Sequence, residues 1–271
     1  MSNTELTDRQ RREVEYHKGH ATLQKADPIK FDVLYSPKRR WWNAYWDLWT
    51  YLTSLDLKEK RVLVVGCGGG DDAILFAALG AKVSAFDLSP DMLTIARARA
   101  SASDVRDIDF GEMPSERLDY RDAEFDLVFA RDILHHVDIP QTMREVTRVA
   151  KPGALFVADE IYSHSFTDHI RHAGWVENWL YPRVQKIIYG NKKPYITEDE
   201  RKMTEVDIGL VKGFLAGISR EKYFNFLVTR LISDNHPSLN RVDRILLMLL
   251  GKRGGKIVAG RIVLVGNMPS R

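Results

Sequence analysis

The segment VLVVGCGGGDD, residues 62–72, constrains the fold of this chain more than any other part of the sequence. Its apolar run leads directly into a glycine cluster, and residues 61–65 are typical of a strand that is buried on both faces. A glycine-rich loop after such a strand lets a nucleotide-like ligand approach the backbone closely. The segment therefore predicts an α/β sheet with a ligand loop at the carboxyl end of one strand.

Strand and helix patterns alternate after this loop. Alternation at this spacing predicts a parallel sheet with right-handed crossovers, because parallel strands need a long connection between them. The predicted strands are residues 61–65, 82–87, 108–110, 125–130, 154–159 and 221–227, followed by a β-rich run at 256–266 that closes the sheet. Between the last two, residues 238–252 are predicted to form a helix.

The residues after the glycines narrow the choice of ligand. A phosphate-binding loop of the Walker type needs a Gly-Lys-Ser/Thr triplet, which does not follow here, and a dinucleotide loop needs a glycine where Asp71 stands. Asp71 and Asp72 would also repel a pyrophosphate at the helix start. A ligand without phosphates or with positive charge is favoured. S-adenosylmethionine has both properties, and Asp87 lies where a carboxylate can accept the ribose hydroxyls.

With these residues in place, the chain resembles the class I S-adenosylmethionine-dependent methyltransferases. The matching stretches are VLVVGCGGGDDAI, VSAFDLSPDML, FDLVFARDILHHV and EVTRVAKPGALFVADE, which together cover about residues 55–160. The resemblance implies S-adenosyl-L-methionine as the cofactor. It also implies a doubly wound seven-stranded, mostly parallel sheet, the Rossmann-like methyltransferase fold, in which the last strand is antiparallel. We expect a helical cap on this sheet.

The resemblance also implies a set of cofactor-binding residues at the loop and at the ends of the following strands. They are Gly66, Cys67 and Gly68 beside the methionine part, Asp87 at the ribose, Leu88 and Met92 near the adenosine, Glu112 and Met113 at the adenine, and Arg131 at the methionine end. Two of these positions depart from the family pattern. Residues 112–113 replace the usual aspartate-alanine pair, and Arg131 stands where a small polar residue is more usual, so that it could instead pair with Asp132.

The catalytic candidates follow the fourth and fifth strands. His135 and His136 lie where donor and acceptor would meet, and a histidine there can take a proton from an acceptor. His136 is the first choice, Tyr162 and His164 are second choices, and the alternative is that one histidine ring only packs or caps a helix. Residues 159–175 also hold several histidines and acids, but they contain no H-E-x-x-H pattern, and we expect no metal there.

Four segments are predicted along the chain. They are an N-terminal helical cap segment at 1–54, the S-adenosylmethionine-binding core at 55–160, a helical lid insertion at 161–217, and the last two strands with a helical insertion at 218–271. The aromatic residues at 39–52 have helical spacing. They predict a helix that anchors the N-terminal segment to the sheet, an aromatic lid over the site, or a membrane-surface belt.

Charge and composition bear on the compartment and on the partners. The formal net charge is +3, yet residues 61–160 carry 11 basic and 18 acidic side chains, so the flanking segments are basic. These segments are ordinary solvated surface, or they attract an anionic small-molecule acceptor. No dense basic stripe indicates nucleic acid, no apolar run approaches the roughly 20 residues of a membrane span, and the polar N-terminus resembles no signal peptide. The basic side chains that could bind an anionic acceptor are Arg39, Arg40, Arg171, Arg183, Lys192 and Lys193.

The sequence thus predicts a cytoplasmic enzyme with a single cysteine, Cys67, and therefore without an internal disulfide. We expect methyl transfer from S-adenosyl-L-methionine to an oxygen, nitrogen or carbon of a small-molecule acceptor, by in-line attack in a capped pocket. The alternatives are a non-catalytic S-adenosylmethionine-binding regulatory protein, and a decarboxylase, cyclase or other enzyme on the same fold. The acceptor and the oligomeric state cannot be read from the sequence.

Overall fold

A computed structural model describes residues 6–21, 25–171, 173–180, 182–183, 201–228 and 236–270. Its strands are β1 (Arg61–Val65), β2 (Lys82–Asp87), β3 (Ile108–Glu112), β4 (Phe125–Arg131), β5 (Ala150–Ile161), β6 (Gly217–Phe224) and β7 (Arg261–Asn267). Its helices are α1 (Asp8–Ala21), α2 (Asp32–Tyr35), α3 (Ala44–Leu52), α4 (Asp71–Ala78), α5 (Pro90–Ala102), α6 (Ile139–Val149), α7 (Ser165–Arg171), α8 (Glu205–Gly213), α9 (Pro237–Leu249) and α10 (Gly251–Val258), with a 3-10 turn at Leu134–His136 and a π-helical turn at Val176–Leu180.

These strands form one open sheet in the order β3-β2-β1-β4-β5-β7-β6. The pairs from β3 across to β5 are all parallel, whereas β7 runs antiparallel to both β5 and β6. The predicted seven-stranded, mostly parallel sheet with an antiparallel last strand is therefore confirmed. Because the parallel strands all end at the same edge, the loops that follow β1, β2 and β4 meet there.

The two faces of the sheet carry separate apolar cores. One face packs against α6 and α8, and the other packs against α3, α4 and α5. On the second face Trp49 of α3 is fully buried, with its ring 4.9 Å from that of Phe76 and 6.3 Å from that of Phe129. Of the three interpretations of the aromatic segment, the anchoring helix is thus the one that the structure confirms.

Local sequence signals set the helices beside the site. Ser89 caps α5, since its hydroxyl accepts a hydrogen bond from the N–H of Met92, and Pro90 takes the first helical position. Helix α4 begins after Gly70, whose φ of +84° is left-handed. A Cβ at Gly70 would lie 2.8 Å from the Cβ of Ala96, so this position needs glycine both for its backbone and for the contact between α4 and α5.

The prediction was wrong in part for residues 256–266. Residues up to Val258 belong to α10, and the strand β7 begins only at Arg261. The neighbouring strands explain this boundary, because Arg261 pairs with Ile161 at the end of β5 and with Phe224 at the end of β6. Gly260 continues this pairing through its hydrogen bonds with Tyr162 and Phe224, whereas the residues up to Val258 satisfy their backbone groups within a helix. Strand β6 also begins at Gly217, four residues before the predicted start.

The predicted lid insertion is only partly covered by the described residues. Helices α7 and α8 lie within it, and a β-bridge pairs Tyr162 with Met203, which precede these helices. Residues 184–200 are outside the described part of the chain. The four predicted segment boundaries thus stay a prediction. No helix among the described residues is long and apolar enough to cross a membrane.

Candidate functional site

A cavity of about 430 Å³ lies at the carboxyl ends of β1, β2 and β4. The glycine loop and the first turn of α4 form one wall, and the residues that follow β2, β3 and β4 form the next. Helix α1 and the first residue of β7 line the remaining side. The lining ranges are 66–69, 71–72, 86–88, 113–116, 131–133 and 135–137, together with Gln10, Glu13, His17, Ile161 and Arg261.

The glycine loop is fixed by contacts to the end of β2. The N–H of Cys67 donates to the carbonyl of Phe86 at 2.8 Å, and the N–H of Gly68 donates to Oδ2 of Asp87 at 2.8 Å. Gly66 has a φ of +60°, and a Cβ there would lie 2.4 Å from Cγ1 of Ile133. The loop thus packs on the segment after β4 at a distance that only glycine allows.

Asp87 holds the turn after β2 as well as the glycine loop. Its Oδ1 accepts a hydrogen bond from the N–H of Ser89 at 2.9 Å, so each carboxylate oxygen already has one backbone donor. Burial raises the pKa of Asp87, and the bonds from Ser89 and Gly68 oppose that shift. An ionised carboxylate oxygen can accept a second hydrogen bond, so the predicted contact to ribose hydroxyls is compatible with this geometry.

The two acids at the start of α4 are both paired with arginines. Oδ1 of Asp71 lies 2.8 Å from Nη1 of Arg99, and Oδ2 of Asp72 lies 2.6 Å from Nε of Arg131. The Arg131 guanidinium stacks 5.0 Å from the ring centroid of Tyr45. Burial would lower the pKa of Arg131, but the charges of Asp72 and Asp132 and the hydrogen bond to Asp72 are among the effects that together outweigh it and raise this pKa. Because the arginines compensate both acids, the repulsion argued from the sequence against a pyrophosphate is weaker than predicted.

A second arginine, which the sequence analysis missed, continues this network. Nε of Arg261 lies 2.7 Å from Oδ1 of Asp159, and its Nη2 lies 2.9 Å from Oδ2 of Asp132. Burial raises the pKa of Asp159 to about 6, against the opposing effect of Arg261. Arg131 lies 3.6 Å from Asp132, so its main partner is Asp72 rather than the Asp132 weighed from the sequence. An arginine that opens an otherwise apolar strand was the signal that could have found Arg261.

The part of the cavity wall that carries Asp72 and Asp132 fits the ammonium group of S-adenosylmethionine. Oδ1 of Asp72 and Oδ1 of Asp132 are buried without a hydrogen-bond partner among the described residues, and both residues line the cavity. A buried carboxylate oxygen without a donor is costly, and a ligand ammonium would supply one. At Gly68 an added Cβ would have only the Cε of Met92 nearby, at 3.7 Å, so the backbone there is open to a ligand.

His135 lies in the cavity wall, where its side chain is almost fully buried. Its Nδ1 lies 2.8 Å from Oε2 of Glu160, and both side chains are buried. Oε1 of Glu160 accepts the backbone N–H groups of Ile133 and Leu134. Glu160 therefore fixes the turn after β4 and orients His135 at the same time.

His136 faces helix α1 instead. Its Nδ1 lies 3.0 Å from Oε1 of Glu13, and Oε2 of Glu13 lies 3.8 Å from Nε2 of His17. Burial alone would raise the pKa of Glu13, but the hydrogen bond to His136 and the neighbouring His17 and Arg9 are among the effects that together outweigh it and lower this pKa. Glu13 is thus ionised beside His136. The sequence analysis missed Glu13 and His17 because 123 positions separate Glu13 from His136.

The structure brings most of the predicted site residues together, but not all of them. Met92 is buried behind the loop, and Glu112 is exposed at the end of β3. Tyr162 packs its ring 5.5 Å from that of Tyr223, and His164 lies 3.8 Å from Glu205, so neither lines the cavity. The predicted residues that do line it are Gly66, Cys67, Gly68, Asp87, Leu88, Met113, Arg131, His135 and His136.

The predicted acceptor-binding cations lie elsewhere or outside the described residues. Arg39 donates to the carbonyl of Val33, and Arg40 stacks on Trp46. Arg183 donates to the carbonyl of Trp179. The side chain of Arg171 and residues 192–193 are outside the described part of the chain.

Comparison with known proteins places this site in a family. The family model described as "Methyltransferase domain" matches residues 63–158, which contain the glycine loop, Asp87 and both histidines. These residues form a class I S-adenosylmethionine-dependent methyltransferase domain. The cofactor of the domain is accordingly S-adenosyl-L-methionine.

Curated relatives of this methyltransferase domain are similar to it over part of their length. A ubiquinone biosynthesis O-methyltransferase from Bordetella bronchiseptica is 32% identical over 145 residues, which cover 48% of this chain and 58% of the relative. One from Xanthomonas oryzae pv. oryzae is 40% identical over 107 residues, covering 38% of this chain and 44% of the relative. The chain thus spans about half the length of these relatives.

Solved structures resemble a larger part of this chain than the curated relatives do. The [4+2]-cyclase SpnF superimposes with a TM-score of 0.59 at 18% identity, over 98% of this chain and 97% of its own. A SAM-dependent methyltransferase from Aquifex aeolicus has a TM-score of 0.53 at 15% identity, over 93% of this chain and 98% of its own. These likenesses show the fold.

Proposed function

We propose that this chain transfers a methyl group from S-adenosyl-L-methionine to a hydroxyl oxygen of a small organic acceptor. The observation that carries the proposal is the pair formed by His136 and ionised Glu13, which lines the same cavity as the glycine loop. When bound, S-adenosylmethionine supplies an electrophilic methyl group on its sulfonium. A hydroxyl must lose its proton as it attacks, so a base in the cavity serves oxygen acceptors directly.

Each wall of the cavity has a part in this reaction. The loop at Gly68 and the carboxylate of Asp87 would hold the cofactor, with Asp72 and Asp132 accepting its ammonium protons. Contact with Glu13 through Nδ1 leaves Nε2 of His136 to accept the proton of the acceptor hydroxyl. The negative charge of Glu13 then stabilises the protonated ring. Helix α1 lines the cavity on the side of these reacting groups.

Two further findings support this choice of acceptor. The curated relatives named above are O-methyltransferases, which favours oxygen over nitrogen and carbon. The cavity wall carries six carboxylates, whereas its arginines, Arg131 and Arg261, are both paired with acids. This charge pattern does not favour the anionic acceptor predicted from the sequence, and we propose a neutral, hydroxyl-bearing one instead.

A methyl-transfer screen tests the proposal. The chain would be incubated with S-adenosylmethionine and separate panels of phenols, amines and carboxylic acids, and S-adenosylhomocysteine would be quantified by mass spectrometry. We expect turnover with phenols or other hydroxyl compounds and little with the other panels. Turnover with amines alone would replace the proposed acceptor atom. Cofactor binding by calorimetry without turnover in any panel would favour the non-catalytic alternative.

A further inference from the structure

Helix α9 is oriented with its apolar side outward. Its buried side consists of Asn240, Asp243 and Leu247, two of which are polar. The rest of the helix surface and the residue that follows carry seven apolar side chains, each between 40% and 78% exposed. We call this set the α9 face: Leu239, Val242, Ile245, Leu246, Met248, Leu249 and Leu250. Contiguous exposed apolar residues of this kind mark an interaction surface.

Polar contacts on the buried side fix this orientation. The Asp243 carboxylate accepts the backbone N–H groups of Phe226 at 3.1 Å and Leu227 at 2.5 Å. Nη1 of Arg244 donates to the carbonyl of Tyr223 at 2.6 Å. Rotating α9 to bury its leucines would break these bonds and leave a buried carboxylate and two N–H groups without partners. The apolar side is therefore held outward by the fold itself.

Positive charge borders the α9 face. Residues 236–258 contain five arginines and lysines but only one acid, the buried Asp243. Arg253 and Lys256 on α10 are exposed and form no ion pair with any of the described residues. The guanidinium of Arg241 stacks 4.4 Å from the ring centroid of Trp42. The ring of the exposed Trp41 lies 6.0 Å from that of Trp42, so Trp41 is also close to this border.

The neighbouring helices extend this surface along one edge of the sheet. Strand β6 ends at Phe224 and β7 begins at Arg261, so α9 and α10 stand at the edge where the cavity lies. The Thr167 hydroxyl donates to the carbonyl of Ile257 at 3.2 Å, which joins α7 to α10. The exposed apolar residues that this contact adds are Phe166, Ile170 and Ile257.

We propose that the α9 face binds the surface of a lipid bilayer that carries anionic headgroups. Amphipathic helices with leucines on one side and basic residues beside them lie in the plane of such a surface, with the apolar side among the acyl chains and the cations at the headgroups. A second copy of this chain fits the face less well, because its cations would meet those of the first. The proposal is independent of methyl transfer and goes beyond it.

Co-sedimentation of the full chain with vesicles tests this inference. Vesicles of phosphatidylglycerol and phosphatidylcholine would be compared with phosphatidylcholine alone, without cofactor or acceptor. We expect binding to the anionic vesicles that weakens as salt rises above about 0.1 M, where charges are screened over about 10 Å. The double variant Arg253→Glu, Lys256→Glu should weaken binding at least about tenfold.

Matched controls separate this face from the rest of the surface. Lys58→Glu with Arg106→Glu makes the same change of charge at exposed residues that precede β1 and β3, at the opposite edge of the sheet. Leu249→Gln tests the apolar side, and Leu210→Gln on α8, where Leu210 is 44% exposed, is its control. Only the variants on α9 and α10 should lose vesicle binding, while circular dichroism stays unchanged in all of them.

Three results would overturn the proposal. The first is that the unaltered chain does not bind anionic vesicles. The second is that the variants on α9 and α10 bind as the unaltered chain does, which would place the contact elsewhere. The third is that Leu249→Gln changes the molar mass in light scattering and leaves vesicle binding intact, which would assign the face to a second copy.

Discussion

Glu160 and His135 form a buried pair beside the cavity, with Oε2 of the carboxylate 2.8 Å from Nδ1 of the ring. Since Oε1 of Glu160 also binds two backbone N–H groups after β4, this one side chain supports both the turn and the histidine. Removing one member of a buried hydrogen-bonded group leaves its partners unsatisfied, which costs stability.

Replacing this carboxylate should destabilise the fold. We expect Glu160→Gln to lower the free energy of unfolding by about 1–3 kcal/mol, because the amide places a donor or a weaker acceptor among groups arranged for a carboxylate. Urea unfolding followed by circular dichroism measures the change. Glu59→Gln, which breaks only the exposed pair with Lys82, should leave the midpoint where it is. Equal midpoints for the two variants would show that Glu160 has no structural role.

Cofactor affinity should depend on Asp87. Asp87→Asn removes the charge that receives the Gly68 and Ser89 N–H groups and that would accept ribose hydroxyls, so we expect S-adenosylhomocysteine to bind at least about tenfold more weakly. Calorimetry gives the dissociation constant. Asp91→Asn, in the first turn of α5, is the control and should bind normally. Unchanged affinity in Asp87→Asn would remove Asp87 from the cofactor site.

The proposed base can be tested through Glu13. Once an acceptor is known, His136→Gln should lower kcat by about 100-fold or more, and Glu13→Gln by about tenfold, because proton transfer loses its base or the charge beside it. The cofactor dissociation constant should change little in either variant. Glu15→Gln, an exposed neighbour on α1, is the control. If kcat is unaffected in both His136→Gln and Glu13→Gln, this pair is structural and the proposed base is wrong.

The pH dependence of stability should report on Glu221. Burial alone would raise the pKa of Glu221, but hydrogen bonds from Lys212, Lys252 and Tyr223 outweigh it and lower this pKa to about 2. A carboxyl whose pKa is lowered on folding stabilises the fold above its unfolded value near 4.5 and loses that effect as the pH falls toward 2.

Glu221→Gln should therefore cost at most about 3 kcal/mol of unfolding free energy at pH 7 and progressively less below pH 4.5. Urea unfolding at a series of pH values gives this difference between the two proteins. A difference that stays constant down to pH 3 would mean that Glu221 is not ionised preferentially in the folded state.

Most of the central sheet could be predicted because its strands are buried on both faces. The predicted bounds of β1 and β2 agree with the structure residue for residue. The boundary between α10 and β7 could not be predicted, since it depends on where the neighbouring strands end. Residues 256–258 form a helix despite their local β propensity, because no strand lies beside them.

The contrast between local sequence patterns and contacts from distant parts of the chain also explains which candidate site residues the sequence identified. The cofactor-binding candidates follow strand ends, whose position the apolar runs fix. Tyr162 failed to reach the cavity because Ile161 lines it, and successive residues of an extended chain point to opposite sides. Glu13, His17 and Arg261 come from distant parts of the chain, and no local pattern joins them to the glycine loop.

The origin of the cavity walls has a consequence for how this protein can diverge. The residues matched by the family model provide the cofactor wall, whereas Glu13, His17 and Arg261 lie outside that match. The wall that faces the glycine loop therefore comes from a part of the chain that the family model does not cover. Under the proposed function, exchanging side chains on α1 would change the acceptor side of the reaction, while the glycine loop that would hold the methyl donor lies in the matched domain.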